Sequence, residues 1–193
     1  VGAGPAGLSF ATTAAERGHE VVLFDSASEI GGQFNVAKKV PGKEEFYETL
    51  RYFRRQLELK GVDLRLNMRA DVATLAQGGF DEIVLATGVT PRKPDIAGID
   101  HPKALGYLDV LRDGKAVGKQ VAVIGAGGIG FDVSEYLTHE GESGALNPEK
   151  FYAEWGIDTQ YAERGGLRQP EVETPPRKVY LLQRKSSKVG DGL

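Results

Sequence analysis

The chain has 193 residues, 40% hydrophobic and 26% charged, which suits a globular protein that can bury a core. Its net charge of −3, with no basic stripe, argues against nucleic acid as the main partner. It has neither a signal peptide nor an apolar run of about 18 residues, so we predict a cytoplasmic protein without a membrane span.

The absence of cysteine excludes thiolate metal sites and dithiol chemistry within this sequence, and three scattered histidines make a metal site improbable. Any redox chemistry must therefore depend on a bound organic cofactor.

Short apolar runs alternate with amphipathic segments along the first half of the chain. This pattern predicts an α/β fold in which Rossmann-like units in tandem form parallel sheets with flanking helices. The predicted helices are 8–17 and 44–60, and the predicted strands are 20–25, 62–67 and 81–86. A glycine turn precedes the first helix, and only Val1 stands before it where a strand is needed. We therefore expect the sequence to be a fragment cut at both ends.

The same pattern begins again after a connecting stretch rich in proline and glycine. A strand at 120–124, a glycine turn, a helix at 129–138 and a strand at 178–182 are predicted in that order. Between that helix and the last strand lies a predicted insertion, 139–176, which is too long for an ordinary loop and should hold a short helix near 151–155. We predict an FAD-binding domain at 1–105 and an incomplete NAD(P)H-binding domain at 106–193.

The two glycine turns carry the clearest functional signal. One G-x-G-x-x-G motif is weak evidence, but here it occurs twice, each time between a strand and a helix. The first glycine allows a tight turn, the second lets the backbone approach a pyrophosphate, and the third lets helix and strand pack closely. The alternative is a glycine-rich turn with no ligand. The candidate residues are Gly2, Gly4, Ala6 and Gly7 in the first turn and Gly125, Gly127, Gly128 and Gly130 in the second.

The residues after the second strand of each unit differ in charge. Asp25 closes that strand in the first unit, where a carboxylate accepts hydrogen bonds from a ribose diol, although it could also be only a turn cap. The second unit has no acid there and continues with Gln183, Arg184 and Lys185. Cations at this place suit a 2′-phosphate, unless they are simply a solvated strand end. An acidic residue in the first unit and cations at the same place in the second predict that the first unit binds FAD and the second binds NADPH.

Two further segments that follow the first glycine turn support a flavin site. Each segment alone is a generic turn, but their order after a dinucleotide motif is a more specific signal. Gly32 and Gln33 belong to a loop able to lie along a flavin's ribityl and pyrophosphate groups. Thr87 and Gly88 end a predicted strand, where small residues would let the backbone meet a cofactor.

These motifs together resemble the C-terminal part of bacterial NADPH-dependent 2,4-dienoyl-CoA reductases, in which an old-yellow-enzyme-type barrel is fused to a flavoprotein reductase. The resemblance spans essentially the whole sequence. The matching segments are Val1–Gly7, Ser28–Asn35, Pro41–Arg51, Ala86–Gly88, Gly98–Pro102, Tyr107–Arg112, Gly127–Asp132 and Glu154–Asp158. The dinucleotide motifs are shared with many flavoproteins, whereas the runs at 107–112 and 154–158 are much narrower signals.

The resemblance implies an electron route in unsaturated fatty acid β-oxidation. It implies that NADPH reduces FAD in the part seen here, and that FMN, a 4Fe-4S cluster and the acyl-CoA site belong to a barrel and iron-sulfur region earlier in the same chain. It implies FAD contacts at Ala6, Asp25, Gln33, Lys43 and Ala70. It places no catalytic residue in this sequence, so the fragment alone should not act on a dienoyl-CoA.

Two other functions remain open on the sequence. One is a flavin oxidoreductase similar to trimethylamine dehydrogenase, in which the second unit is a relic. The intact second motif and Arg184 argue against it. The other is a non-catalytic dinucleotide-binding module, which the order of motifs does not exclude.

Overall fold

A computed structural model describes residues 1–190 of the chain. It confirms the α/β fold class, with short parallel sheets and flanking helices. The chain divides into two compact units. The first comprises Val1–Ala37 with Glu45–Asp100, and the second comprises Lys38–Glu44 with the chain from His101 onward. The domain bounds given by the sequence pattern stay a prediction.

The first unit is built on two parallel strands and the helices that cover them. The strands β1 and β2 pair with Phe24 opposite Arg65. Its elements are α1 Pro5–Glu16, β1 Val22–Phe24, α2 Phe34–Ala37, α3 Glu45–Leu59, β2 Asp63–Arg65 and α4 Val72–Gln77. Leu50 and Leu57, two turns apart on α3, are buried against Leu8 of α1, so the apolar stripe of α3 closes the core.

The predicted strand 81–86 is wrong as a regular strand, although part of it pairs with the start of the chain. The Val1 nitrogen donates to Val84 O, and Ala86 N donates to Val1 O, each at 2.8 Å. Gly2 N in turn donates to Phe24 O, also at 2.8 Å. Val1 and Gly2 therefore lie between β1 and the 84–86 backbone. Because only Val1 pairs with that backbone, the two hydrogen bonds do not extend into a ladder.

The second unit repeats the strand, turn and helix order. Its strands β3 and β4 pair in parallel from Gln120 opposite Lys178 to Ile124 opposite Leu182. Its elements are α5 Tyr107–Leu111, β3 Gln120–Ile124, α6 Gly128–Thr138, α7 Pro148–Trp155 and β4 Lys178–Leu182. Val133 and Leu137, one turn apart, form the buried side of α6. Both strands have the predicted bounds.

The segment 139–176 is ordered by its own hydrogen bonds. Asn147 caps α7 through its side-chain oxygen, which accepts from two backbone N–H groups, and Gly156 ends the helix in a left-handed conformation. The Asp158 carboxylate then accepts from three backbone N–H groups of the following turn, and these bonds lower the pKa of that carboxyl. The predicted helix at 151–155 is confirmed and begins three residues earlier, at Pro148, where proline suits the first helical position.

Candidate functional site: two glycine turns

The fold itself requires glycine at the first and third positions of the first turn. Gly2 has φ +104°, and a Cβ added there would lie 2.3 Å from Ala86 O. A Cβ on Gly7 would lie 1.8 Å from Gly2 O. Any side chain at Gly7 would therefore separate α1 from the backbone in front of it.

The second glycine of this turn is different. Gly4 has φ −78° and ψ −176°, which any residue can adopt. A Cβ there would only reach ordinary contact, 3.9 Å from Gly32 Cα. Gly4 is the N-cap of α1, and no side chain within the described part of the chain caps this helix. The N–H groups of its first turn thus stay open to an anion, and no internal contact explains the glycine.

The second turn repeats this geometry and is more open. Gly125 has φ +116°, and its N–H donates to Leu182 O at 2.8 Å. A Cβ on Gly130 would lie 1.8 Å from Gly125 O, as at Gly7. By contrast, a Cβ on Gly127 or Gly128 would meet no heavy atom of the described chain within 4 Å. The start of α6 is therefore free to take a bulky anionic group.

Asp25 lies against the first turn. One carboxylate oxygen accepts from Ala3 N at 2.6 Å, and the other accepts from Ala27 N at 2.8 Å. An ionised carboxylate has about four acceptor positions, so further donors can still bind. Asp25 thus holds the turn in place and keeps capacity for a ligand hydroxyl.

Two loops predicted from the sequence also reach this turn. Gly31 N donates to Ala3 O at 2.7 Å, and a Cβ on Gly32 would lie 3.0 Å from Gly4 Cα. Gln33 follows as an exposed residue just before α2. From the other side, the 86–88 segment meets Gly2 through Ala86 O.

The predicted residues of this segment and of the helix start are accessible. Thr87 and Gly88 are exposed, and Gly88 has φ +71°. Ala6 is exposed in the first turn of α1. The structure therefore brings the glycines of the turn together with Asp25, Gly32 and the 86–87 backbone, and Gln33 and Gly88 are the exposed residues that follow these segments.

Ala70 and Lys43 lie elsewhere. Ala70 is half-buried after β2, close in sequence to Met68, whose N–H donates to Asp25 O at 2.9 Å. Lys43 belongs to the second unit, where its ammonium pairs with Asp132 Oδ1 at 2.6 Å. No sequence pattern identifies this pair, because its two residues lie 89 positions apart. The predicted contact between Lys43 and FAD stays a prediction. Such a contact would require the Lys43 ammonium to leave Asp132 or to bind both groups at once.

The predicted cations of the second unit follow β4. Arg184 and Lys185 are exposed, and Gln183 before them is half-buried. Among residues 1–190, no group of histidine, cysteine and carboxylate side chains is placed to hold a metal ion. No helix in the same range is both long and apolar enough to cross a membrane.

The sequence matches the family model described as pyridine nucleotide-disulphide oxidoreductase over residues 1–184, a span that includes both turns and ends at Arg184. The chain belongs to this family. Membership implies that it binds FAD and a nicotinamide dinucleotide. The open glycines Gly4 and Gly127 fit such ligands, since a pyrophosphate can approach where no side chain stands. Because the sequence contains no cysteine, the disulphide chemistry in the family's name has no counterpart in it.

Individual relatives are much longer than this chain. It is 36% identical over 145 residues to the NADH oxidase of Thermoanaerobacter brockii, covering 73% of this chain and 22% of that protein. It is 37% identical over 149 residues to the N,N-dimethylglycine/sarcosine dehydrogenase of Chromohalobacter salexigens, with the same coverage of 73% and 22%. A solved structure of 2-naphthoyl-CoA reductase with 2-naphthoyl-CoA matches with a TM-score of 0.68 and 34% identity, covering 71% of this chain and 21% of that one. The aligned part of the chain thus spans about a fifth of the length of these relatives.

Two glycines of the second turn allow an effect on folding to be separated from an effect on ligand binding. Gly130→Ala should lower the free energy of unfolding by about 3 kcal/mol, because its Cβ would overlap Gly125 O. Gly127→Ala should change that free energy by about 1 kcal/mol or less and weaken binding of NADP⁺ at least tenfold. Chemical denaturation and titration of the full-length protein measure the two effects. Unchanged NADP⁺ affinity in Gly127→Ala would contradict a nucleotide site here.

Asp25→Ala should weaken FAD binding by ~1–3 kcal/mol, because it removes a hydrogen-bonding carboxylate from the first turn. Retention of flavin by the full-length variant through gel filtration measures the loss. Asp95→Ala, an exposed carboxylate in the same unit, is the control and should keep its flavin. If Asp25→Ala retains as much flavin as the control does, Asp25 has no part in holding FAD.

Proposed function

We propose that the chain is the NADPH-to-FAD electron-transfer portion of a 2,4-dienoyl-CoA reductase used in unsaturated fatty acid β-oxidation. The observation that carries the proposal is the difference between two turns of equal geometry. The first has the Asp25 carboxylate against its backbone, and the second is followed by Gln183, Arg184 and Lys185 with no carboxylate among them. The likeness to 2-naphthoyl-CoA reductase supports an acyl-CoA thioester as the substrate of the whole protein.

In this proposal the first turn holds FAD as a lasting cofactor. The N-terminus of α1 binds the pyrophosphate, and Asp25 accepts hydrogen bonds from the adenosine ribose. Gln33 and the backbone of Gly32, Thr87 and Gly88 line the remainder of the site. Because several elements surround this turn, the cofactor is released slowly.

The second turn serves a nucleotide that must enter and leave at each turnover. The start of α6 binds its pyrophosphate, and the open space at Gly127 and Gly128 lets it approach without displacing a side chain. Arg184 and Lys185 bind the 2′-phosphate, with the planar Arg184 guanidinium able to bind two oxygens at once. When both cofactors are bound, they supply hydride transfer from the nicotinamide to the flavin.

The remaining machinery belongs to other parts of the polypeptide in this proposal. We assign FMN, a 4Fe-4S cluster and the acid that protonates the acyl chain to that other region. The sequence has no cysteine that could bind the iron of a cluster. Relatives more than three times as long as this chain have room for such a region. The N-terminal barrel and iron-sulfur region are therefore the proposed partner.

A second candidate is an amine-oxidising flavoenzyme. The identity of 37% to N,N-dimethylglycine/sarcosine dehydrogenase favours it. In such an enzyme the electrons start from an amine, so the second turn need not bind NADPH. The intact glycine turn of the second unit and the cations after β4 favour the reductase.

Arg184→Ala should raise the Michaelis constant for NADPH about tenfold and leave that for NADH nearly unchanged, because only NADPH carries the 2′-phosphate. The intact protein should accordingly prefer NADPH by at least about tenfold. Steady-state reduction of FAD in the full-length enzyme measures both constants. Arg164→Ala, an exposed arginine in the same unit, should change neither. An equal loss with both nucleotides in Arg184→Ala would make Arg184 structural.

The full-length protein should remove dienoyl absorbance from a 2,4-dienoyl-CoA in the presence of NADPH, and the 193-residue portion alone should not. The reason is that the proposal places the acyl-CoA site and the acid in the N-terminal region, outside this portion. Activity of the purified portion would overturn this division. Oxidation of a secondary amine by the full-length protein, without NADPH-dependent dienoyl loss, would favour the second candidate.

A further inference from the structure

Gln183 occupies the same place in the second unit that Asp25 occupies in the first. In the first turn, Gly2 N donates to the carbonyl of Phe24, the last residue of β1. In the second turn, Gly125 N donates to the carbonyl of Leu182, the last residue of β4. Asp25 and Gln183, which directly follow Phe24 and Leu182, therefore occupy equivalent positions in the two units.

The two equivalent side chains make opposite hydrogen bonds. Asp25 accepts a backbone N–H from its own glycine turn. The Gln183 amide instead donates forward, to Lys185 O at 3.0 Å and to Ser187 O. A single amide group thus ties down two carbonyls of the loop that carries the cations.

These bonds fix the orientation of the loop. Gln183 is half-buried, whereas Arg184, Lys185 and the residues up to 188 are exposed. Two carbonyl oxygens of the loop accept from the Gln183 amide, and the Arg184 and Lys185 residues of the same loop are exposed. A carboxylate at this place has no hydrogen to donate, and its charge would face the same two carbonyl oxygens.

We propose that Gln183 is a positioning residue that sets the preference of the second turn for a 2′-phosphorylated nucleotide, by holding the 184–188 loop so that Arg184 meets the phosphate. The inference rests on the proposed function of the second turn. Under this inference, the preference for a 2′-phosphorylated nucleotide depends on the neutral Gln183 side chain as well as on the cations of the loop. The ligand recognised is the phosphate monoester on an adenosine ribose.

The test is titration of the full-length protein with two fragments of the nucleotide, 2′,5′-ADP and 5′-ADP, which differ in whether the ribose carries the 2′-phosphate. Gln183→Ala should weaken 2′,5′-ADP about tenfold and 5′-ADP less than about twofold. Gln183→Glu should weaken 2′,5′-ADP further, because it adds a negative charge. Gln160→Ala, an exposed glutamine in the segment 139–176, is the matched control and should change neither affinity.

A double variant shows whether Gln183 acts through Arg184. In an Arg184→Ala background, Gln183→Ala should cause less than about a twofold further loss of 2′,5′-ADP affinity, because the group that it positions is gone. A full further tenfold loss would overturn the route through Arg184.

Three other results have distinct meanings. Equal weakening of both fragments by Gln183→Ala would make the residue merely structural and overturn the proposal. An effect of Gln183→Glu without one of Gln183→Ala would assign the selectivity to charge alone and also overturn it. Failure of the unaltered protein to bind either fragment would instead overturn the proposed function of the second turn.

Discussion

Each unit depends on the close approach of a helix to the backbone in front of it. At both turns the third glycine lies so near the carbonyl oxygen of the first that a Cβ would come within 1.8 Å of it. This packing aims the N-terminus of the helix, with its unpaired N–H groups, at the edge of the sheet. A positive φ at the first glycine and close packing at the third already account for these two positions, so the second glycine can be judged separately. At neither turn would a Cβ on the second glycine meet a close contact, which leaves space there for a ligand.

The two turns share one local geometry but have different surroundings. At the first turn, the Gly31–Gly32 loop, Asp25 and Ala86 all meet the glycine backbone. At the second turn, Gly127 and Gly128 face open space, and the loop after β4 is organised by Gln183. The carboxylate at the first turn and the cations after β4 agree with the proposed assignment of FAD to the first turn and NADPH to the second.

The sequence predicted best the features that depend on neighbouring residues. The strands β3 and β4 have the predicted bounds, and the helices α1 and α3 differ from prediction by one to three residues at their ends. The strand predicted at 81–86 failed, because an apolar run becomes a strand only if a partner pairs along it. The short helices α4 and α5 were not predicted at all, since neither is long enough to show a clear apolar period.

The site was predicted to a similar extent. The glycines and Asp25 follow from spacing and strand ends, and the structure gathers them at the turns. The Lys43–Asp132 pair joins residues far apart in the sequence, and no local pattern identifies it. The hydrogen bonds of Gln183 could not be predicted either, because they depend on how the loop after β4 folds back.

In the proposed function, electrons enter at the second turn from NADPH and pass to FAD held at the first. Anaerobic mixing of the FAD-loaded full-length protein with NADPH, and separately with NADH, tests this transfer when the flavin absorbance band is followed. We expect rapid bleaching by NADPH and much slower bleaching by NADH at the same concentration. Flavin that stays bound and oxidised with both nucleotides would contradict it.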